Sequence, residues 1–253
     1  MPRSSTNGIR RFFAVLAKNF GGLIKLNLLF CVCLLPSAAL FTVGLFGLIP
    51  VIAFPLSVVT AIPAGGAYSA CLFCIAKMLR DDPGYIWYDF KRKFKENVIL
   101  VMPAGVLSAA VIYAQIYLLI TLLYGGIAPG ALWLAWVFVS LALICMTAPY
   151  IFLIAAYLHF SVPQIIRNGI LLCFAHPGRS FLGMLAGGAI WIAFILFLPA
   201  SLVFAPVIPL CGFSLSMLLS LMWIWPPVNQ RFSIEERLGA AAGIRPPKPG
   251  DDS

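Results

Sequence analysis

The charged residues of this 253-residue chain are gathered into short segments that are separated by long uncharged stretches. All 17 Lys and Arg lie in four segments: 3–25, 77–95, 167–179 and 231–248. The eight Asp and Glu lie in or beside three of these segments. Three stretches have no formal charge: 26–76, 97–158 and 180–230. Because one bilayer crossing takes about 20 apolar residues, each stretch is too long for one crossing and about right for two. The pattern predicts that all charged segments lie on one side of a membrane.

Composition narrows the class of protein further. Hydrophobic residues make up 62% of the chain and charged residues 10%, with a mean hydropathy of +1.01. Ordinary soluble domains carry about 25% charged residues, so this chain lacks the charge to cover a soluble fold. We therefore expect a multi-pass membrane protein without a separate soluble domain. The net charge of +9 indicates cytoplasmic flanks of membrane helices at an anionic leaflet, and no binding of nucleic acid.

These patterns predict an all-α fold class: a six-helix transmembrane bundle of three outward hairpins, with cytoplasmic interfacial helices. Helices one, three and five are predicted at about 26–46, 97–123 and 180–199, and helices two, four and six are predicted to end near Lys77, Leu158 and Trp225. Turns rich in Gly and Pro are expected at 47–55, 124–130 and 199–209. Pro226 and Pro227 are expected to stop helix six, because proline cannot continue a helix.

The positions of Lys and Arg also predict the orientation. No basic residue falls in the three turns, so all of them face outward, and the N and C termini are both cytoplasmic at the cell membrane. We expect a basic cytoplasmic arm at 1–25 with a surface helix at 10–25, a transmembrane domain at 26–230, and a partly disordered cytoplasmic tail at 231–253. The start of the chain also resembles a cleavable signal peptide, but the apolar run continues to full spanning length and favours a retained helix.

The most organised segment outside the spans is the connector 80–97. Asp82 and Pro83 are predicted to begin a helix there. Three aromatic residues recur at spacings of three and four and predict one apolar face: Trp87, Phe90 and Phe94. Four basic residues cover the rest of the helix: Lys91, Arg92, Lys93 and Lys95. Two opposite-charge pairs are predicted at spacings of four: Asp89 with Lys93, and Arg92 with Glu96. The pattern is typical of an interfacial helix, which serves either as a lipid-anchored connector or as a docking surface for a cytoplasmic partner.

A second connector helix is predicted within 160–179. Pro163 can begin it, and residues His176 to Gly178 end it. Its predicted apolar face contains five residues: Ile165, Ile166, Gly169, Ile170 and Cys173. Cys173 and His176 are three residues apart, but two groups do not make a metal site. The spacings Cys31-x-Cys33 and Cys71-x-x-Cys74 lie in apolar segments without further ligands, so the sequence predicts no metal, no cofactor and no disulfide framework.

Two features inside the predicted spans are candidates for special packing. Pro63, Gly65 and Gly66 form a candidate helix break, because proline removes a backbone donor and glycine lowers the cost of unwinding. The alternative is a structural kink with close helix packing. Gly183 and Gly187 have the spacing of a close helix–helix contact. Gln115, the most polar side chain in mid-span, is expected to bond a neighbouring helix.

The order of several segments resembles the YesL family, bacterial multi-pass membrane proteins of unknown molecular function. These segments are LNLLF at 26–30, IPAGGAY at 62–68, KMLR at 77–80, YDFKRKFKEN at 88–97 and IIRNGILLCFAHP at 165–177. The resemblance covers about residues 20–230. It implies a link to carbohydrate utilisation and a partner such as a sugar transport system. It implies no catalytic or ligand residues.

Three classes of function remain open at this point. The organised polar features are cytoplasmic and amphipathic, which favours a non-enzymatic accessory or regulatory protein that binds the lipid bilayer and a membrane or cytoplasmic partner. The alternative is a facilitative transporter or channel for a neutral solute, because no ionisable residue lies in mid-span for ion coupling. A membrane enzyme is disfavoured, since nucleophilic or metal chemistry needs a nearby base or several ligands.

Overall fold

The computed structural model describes residues 8–47, 50–82, 84–124, 130–196 and 208–241, and these residues contain helices and no strand. The helices are α1 (Gly8–Leu45), α2 (Pro50–Val59), α3 (Ile62–Leu79), α4 (Ile86–Asn97), α5 (Met102–Tyr124), α6 (Ala131–Tyr157), α7 (Val162–Ala175), α8 (Pro177–Leu196), a one-turn π-helix (Ile208–Gly212), α9 (Phe213–Phe232) and α10 (Ile234–Ala241). The all-α prediction is confirmed for this part of the chain. Most of the predicted turns at 124–130 and 199–209, and the tail from 242, lie outside the described residues.

Five segments are long and apolar enough to cross a membrane. They are Arg10–Leu45, Val51–Leu79, Met102–Thr121, Leu132–Tyr157 and Leu210–Phe232. A sixth span is present if the bent pair Val162–Ala175 and Pro177–Ala193, which meet at 98°, is taken as one. The described residues therefore have the helices of a multi-pass membrane protein, with five or six candidate spans.

The predicted surface helix at 10–25 and the predicted span from 26 lie in one helical segment, α1, which consists of two helices joined at a kink. A kink at Asn19 (φ −117°, ψ 17°) divides it, and Asn19 Nδ2 donates to Val15 O at 3.1 Å. The helix continues past the kink because Leu23 and Leu26 are fully buried in the core. Two helices are therefore present as predicted, but the boundary between them lies at Asn19 and not near residue 26, since the end of the charged segment does not mark the start of the second helix.

The second predicted span consists of two helices, and the interruption lies at Thr60–Ala61. Pro63 lies in the first turn of α3, where a missing backbone donor costs little. Gly65 and Gly66 are helical, so the helix is broken just before the predicted break residues and not at them. The turn predicted at 47–55 is also shorter than expected, because α2 begins at Pro50.

Close packing explains the two glycines of α3. A Cβ atom on Gly65 would lie 3.2 Å from the Cα atom of Gly105 in α5, and one on Gly66 would lie 3.1 Å from the Cα atom of Val98. Backbones approach this closely only where side chains are absent. Almost all of α3 is buried, so it is the central helix of the core.

Polar side chains join helices within the apolar bundle. Gln115 Nε2 donates to Ser140 Oγ at 2.7 Å and joins α5 to α6, which confirms that this amide bonds a neighbouring helix. Asn27 is fully buried in α1, and its Oδ1 accepts from the backbone N–H of Ser214 at 2.9 Å. Ser214 follows the π-helix at the start of α9, where backbone donors lack partners within the helix.

Pro226 and Pro227 lie inside α9, which runs on to Phe232. The predicted end of helix six at Trp225 was therefore wrong. Two successive prolines remove two backbone donors, but the helix ends only at Ser233, whose φ of 47° is left-handed. The helix α10 covers Ile234–Ala241, so the first part of the predicted tail is also helical.

Gly183 and Gly187 of α8 lie against α9. A Cβ atom on Gly183 would lie 3.3 Å from Ser220 O, and one on Gly187 would lie 3.1 Å from Ser216 O. Ser216 Oγ also donates to Gly187 O at 2.6 Å. The two glycines therefore allow the backbones of α8 and α9 to approach each other.

Neighbouring glycines in α8 offer a matched test of this contact. We expect Gly187→Ala to lower the free energy of unfolding by roughly 1–3 kcal/mol, because the new methyl group meets backbone atoms of α9. A Cβ atom added at Gly188 would meet no other atom within 4 Å. Gly188→Ala should therefore raise the free energy of unfolding by up to about 1 kcal/mol, because alanine has the higher helix propensity. Thermal denaturation of both detergent-purified variants measures the difference. Equal midpoints would contradict a close α8–α9 contact at Gly187.

Candidate functional site at the charged end of the bundle

Contacts between helix ends bring charged segments together at one end of the bundle. Two contacts join segments 3–25 and 77–95: Arg11 Nη2 to Leu79 O (2.9 Å) and Lys18 Nζ to Asp81 Oδ1 (2.6 Å). Two ring contacts join the ends of α6 and α9: Tyr157 with Trp225 (5.4 Å between centroids) and Phe160 with Phe232 (5.9 Å). The start of α1 and the ends of α3, α6 and α9 therefore meet. Among the described residues, segments 3–25 and 77–95 therefore meet at this end of the bundle.

The end of α3 shapes the first part of this site. Asp81 has a left-handed φ of 56°, its N–H donates to Met78 O, and the N–H of Asp82 donates to Lys77 O. These two bonds form a Schellman motif, which satisfies the last carbonyls of a helix. Asp tolerates the left-handed region better than most residues with a Cβ atom. The turn directs the chain from α3 towards α4.

Asp89 is the acidic centre of the site. Its Oδ2 accepts from Lys77 Nζ at 2.9 Å, and its Oδ1 accepts from Arg92 Nη2 at 3.3 Å. The Lys77 and Asp89 side chains are only 16% and 9% exposed. A Cβ atom on Gly84 would lie 2.5 Å from Asp89 Oδ2, so the loop before α4 passes directly over the pair. The ion pair therefore fixes α4 to the end of α3.

Arg80 joins the ends of three helices. Its guanidinium carbon lies 5.5 Å from the ring centroid of Tyr157 in α6 and 5.4 Å from that of Trp225 in α9. It also donates to Tyr157 Oη at 3.3 Å and pairs with Asp82 at 3.5 Å. Trp225 Nε1 in turn donates to Glu235 Oε1 at 3.1 Å, which connects α10 to the same group. Arginine suits this position because its planar cation stacks on aromatic rings.

The aromatic face predicted for α4 is divided between two sides of the helix. Phe90 is buried and stacks on Phe94, with 6.0 Å between ring centroids, and both pack in the core. Trp87 is 62% exposed and Tyr88 63% exposed. The predicted single face was wrong, because a spacing of three or four does not show which residues meet a neighbouring helix. The helix itself begins at Ile86 and not at Asp82, and Pro83 lies outside the described residues.

The basic residues of α4 also fall into two groups. Arg92 pairs with Asp89, and Lys93 pairs with Glu96 at 2.8 Å while its ammonium lies 5.0 Å from the Phe73 ring centroid. The observed pairs have a spacing of three, so the predicted pairs at a spacing of four were wrong. Asp89 turns inward to Lys77, which brings it next to Arg92. Lys91 and Lys95 are exposed and form no ion pair among the described residues.

The far end of α4 is fixed by a buried amide. Asn97 Nδ2 donates to Ser69 Oγ at 3.3 Å, and Ser69 Oγ donates to Phe152 O at 2.9 Å. This chain joins α4, α3 and α6. Sequence reasoning missed the roles of Lys77, Arg80 and Asn97. The available signal was their position at the junction of charged and uncharged segments, where polar side chains can reach buried carbonyl groups.

A pocket of about 340 Å³ lies beside this network. It is lined by residues of α1, of the end of α3 and of the turn to α4, which include Lys18, Asn19, Cys74, Asp82 and Gly84. The described residues contain no group of three or more His, Cys, Asp or Glu that could hold a metal ion.

No family model, curated protein or solved structure matches this chain.

Proposed function

We propose that this chain is a non-enzymatic accessory protein of the cell membrane that presents α4 to an acidic surface on a membrane or cytoplasmic partner. In this proposal the six spans form three outward hairpins, and the charged end and both termini are cytoplasmic. The confinement of all Lys and Arg to four short segments of the sequence supports this orientation. The resemblance to the YesL family points to a sugar transport system as the partner.

The two-sided construction of α4 is the observation that carries the proposal. Asp89, Phe90 and Asn97 hold the helix from within, at both of its ends. Its outer side presents Trp87, Tyr88, Lys91 and Lys95 to the surroundings. A rigid helix with exposed aromatic and basic side chains has the composition of a binding surface, where aromatic and arginine anchors dominate the energy.

Charge reversal of the two unpaired lysines tests this function. We expect Lys91→Glu with Lys95→Glu to abolish crosslinking between a photoreactive group at position 87 and a subunit of the sugar transport system, because like charges then face each other. The two lysines form no ion pair in the described structure, so insertion and folding should be unchanged. Recovery of the variant from membranes and its thermal midpoint check this.

A control variant separates the α4 surface from general charge effects. Arg237 is an exposed base on α10 at the same end of the bundle, and Arg237→Glu should leave the crosslink intact. Crosslinking that is unchanged in the α4 variant, or lost equally in both variants, would contradict the proposed surface.

Uptake of a neutral sugar by proteoliposomes that contain only this protein would instead support the alternative of a facilitative transporter.

A further inference from the structure

The second connector helix, α7, lies across the end of the bundle. It contains 14 residues and spans about 21 Å, which is shorter than a hydrocarbon core of about 30 Å. It meets α8 at 98°. If α8 crosses the membrane, α7 therefore lies close to the membrane plane. This arrangement is typical of an interfacial helix.

One side of α7 is fixed to the core and the other side is open. Ile165, Gly169 and Leu172 are buried, and a Cβ atom on Gly169 would lie 3.1 Å from the backbone of Ile151 in α6. The open side carries Leu171 and Phe174, which are 54% and 62% exposed. The close fit at Gly169 holds α7 in place, so its outer surface is a fixed feature of the fold.

An open groove of about 530 Å³ lies along this outer surface. Its lining is almost entirely apolar: Val162, Pro163, Ile166, Ile170 and Leu171. The one charged group in the lining is Arg167. An open apolar surface that includes one guanidinium has the chemistry of a site for an amphiphile, with a hydrocarbon part and an anionic part.

The charge of Arg167 is not balanced within the described protein. It forms no ion pair there, whereas Lys77, Arg92 and Lys93 at the same end of the bundle each pair with an acid. The sequence contains no Asp or Glu between Glu96 and Glu235. An arginine next to an apolar surface at the membrane boundary attracts phosphate, to which it can donate two parallel hydrogen bonds.

We propose that the α7 groove is a binding site for an anionic phospholipid. The lipid phosphate lies on Arg167, and an acyl chain lies along Ile166, Ile170 and Leu171 and continues into the bilayer. A soluble anion would not use the apolar lining, and a zwitterionic lipid would leave the charge of Arg167 less well balanced. The lipid belongs to the cytoplasmic leaflet if the proposed orientation of the bundle is correct.

Native mass spectrometry of the detergent-purified full chain tests the site, with phosphatidylglycerol and phosphatidylcholine of identical acyl chains as probes. We expect the unchanged protein to retain phosphatidylglycerol preferentially. Arg167→Gln should lower the ratio of retained phosphatidylglycerol to phosphatidylcholine about fivefold, the effect of roughly one basic side chain at an anionic surface. Ile170→Trp fills the groove and should reduce retention of both lipids. Both positions are exposed, so the fold should tolerate these changes.

Arg237→Gln is the matched control, because Arg237 is an exposed base on α10 that lies outside the groove and outside the α4 surface. It should leave the lipid ratio unchanged. An unchanged ratio in Arg167→Gln would overturn the proposal. An equal decrease in Arg237→Gln would also overturn it, since the preference would then come from overall surface charge. The proposal does not depend on the partner of α4, so loss of the α4 crosslink leaves it intact.

Discussion

Asp89→Asn should lower the free energy of unfolding by about 3–5 kcal/mol, the usual effect of removing one partner from a buried ion pair. The substitution leaves the Lys77 ammonium, which is 16% exposed, without its carboxylate. Arg92 loses the same partner. Because this pair fixes α4 to α3, we expect the loop before α4 to open together with the loss of stability. Thermal denaturation of the detergent-purified protein measures the change, and thiol labelling of Cys74, which lines the neighbouring pocket, reports the opening.

Glu96→Gln provides the comparison for this effect. Glu96 pairs with Lys93 at 2.8 Å, but its side chain is 41% exposed, so the loss should be below about 1 kcal/mol. The double variant Lys77→Met with Asp89→Leu removes both charges and should recover most of the stability, because an apolar pair of similar volume avoids the desolvation cost. Equal midpoints for Asp89→Asn and Glu96→Gln would show that the Lys77–Asp89 pair does not hold α4.

Arg80→Met is expected to have the second largest effect, a loss of about 2–4 kcal/mol. A desolvated cation–π contact contributes about 2 kcal/mol, and Arg80 makes two of them together with hydrogen bonds to Tyr157 and Ala76. Methionine keeps much of the volume but neither the charge nor the donors. Arg80→Lys should recover only part of the loss, because an ammonium lacks the planar stacking surface. The midpoint of thermal denaturation again measures the effect.

Arg92→Met is the matched substitution for this experiment. Arg92 also lies over an aromatic ring, that of Tyr88 at 5.6 Å, but its side chain is 44% exposed. An exposed contact of this kind contributes about 0.5–1 kcal/mol, so Arg92→Met should have a clearly smaller effect than Arg80→Met. A larger effect at Arg92 would mean that the ends of α3, α6 and α9 are not joined through Arg80.

The sequence predicted the class of fold and the clustering of charge, because hydropathy and charge are both averaged over many residues. Apolar runs of spanning length predicted the helices, and the distribution of charge predicted one polar end. The boundaries were less predictable. Proline at 226 and 227 was expected to end a helix, yet α9 continues to Phe232. Helix propensities describe the energetic cost of proline within a helix, but they do not describe the tertiary packing that can offset this cost.

The contacts within the candidate site could not be predicted from one sequence. Lys77 and Asp89 are 12 residues apart on two helices, and Arg80 meets Trp225 across most of the chain. The spacing of Trp87, Phe90 and Phe94 showed that α4 is amphipathic. It did not show that Phe90 is inside and Trp87 outside, since that depends on where α3 lies. The pattern of one helix defines a face only when its neighbour is known.

The hydrogen bond between Asn27 and Ser214 has a consequence for the order in which the protein assembles. The two residues are 187 positions apart, so the bond forms only after most of the chain has been synthesised. α1 can pack on α3 before that point, and the bond to the N–H of Ser214 is added when α9 arrives. We therefore expect this bond to be among the last contacts to form as the bundle assembles.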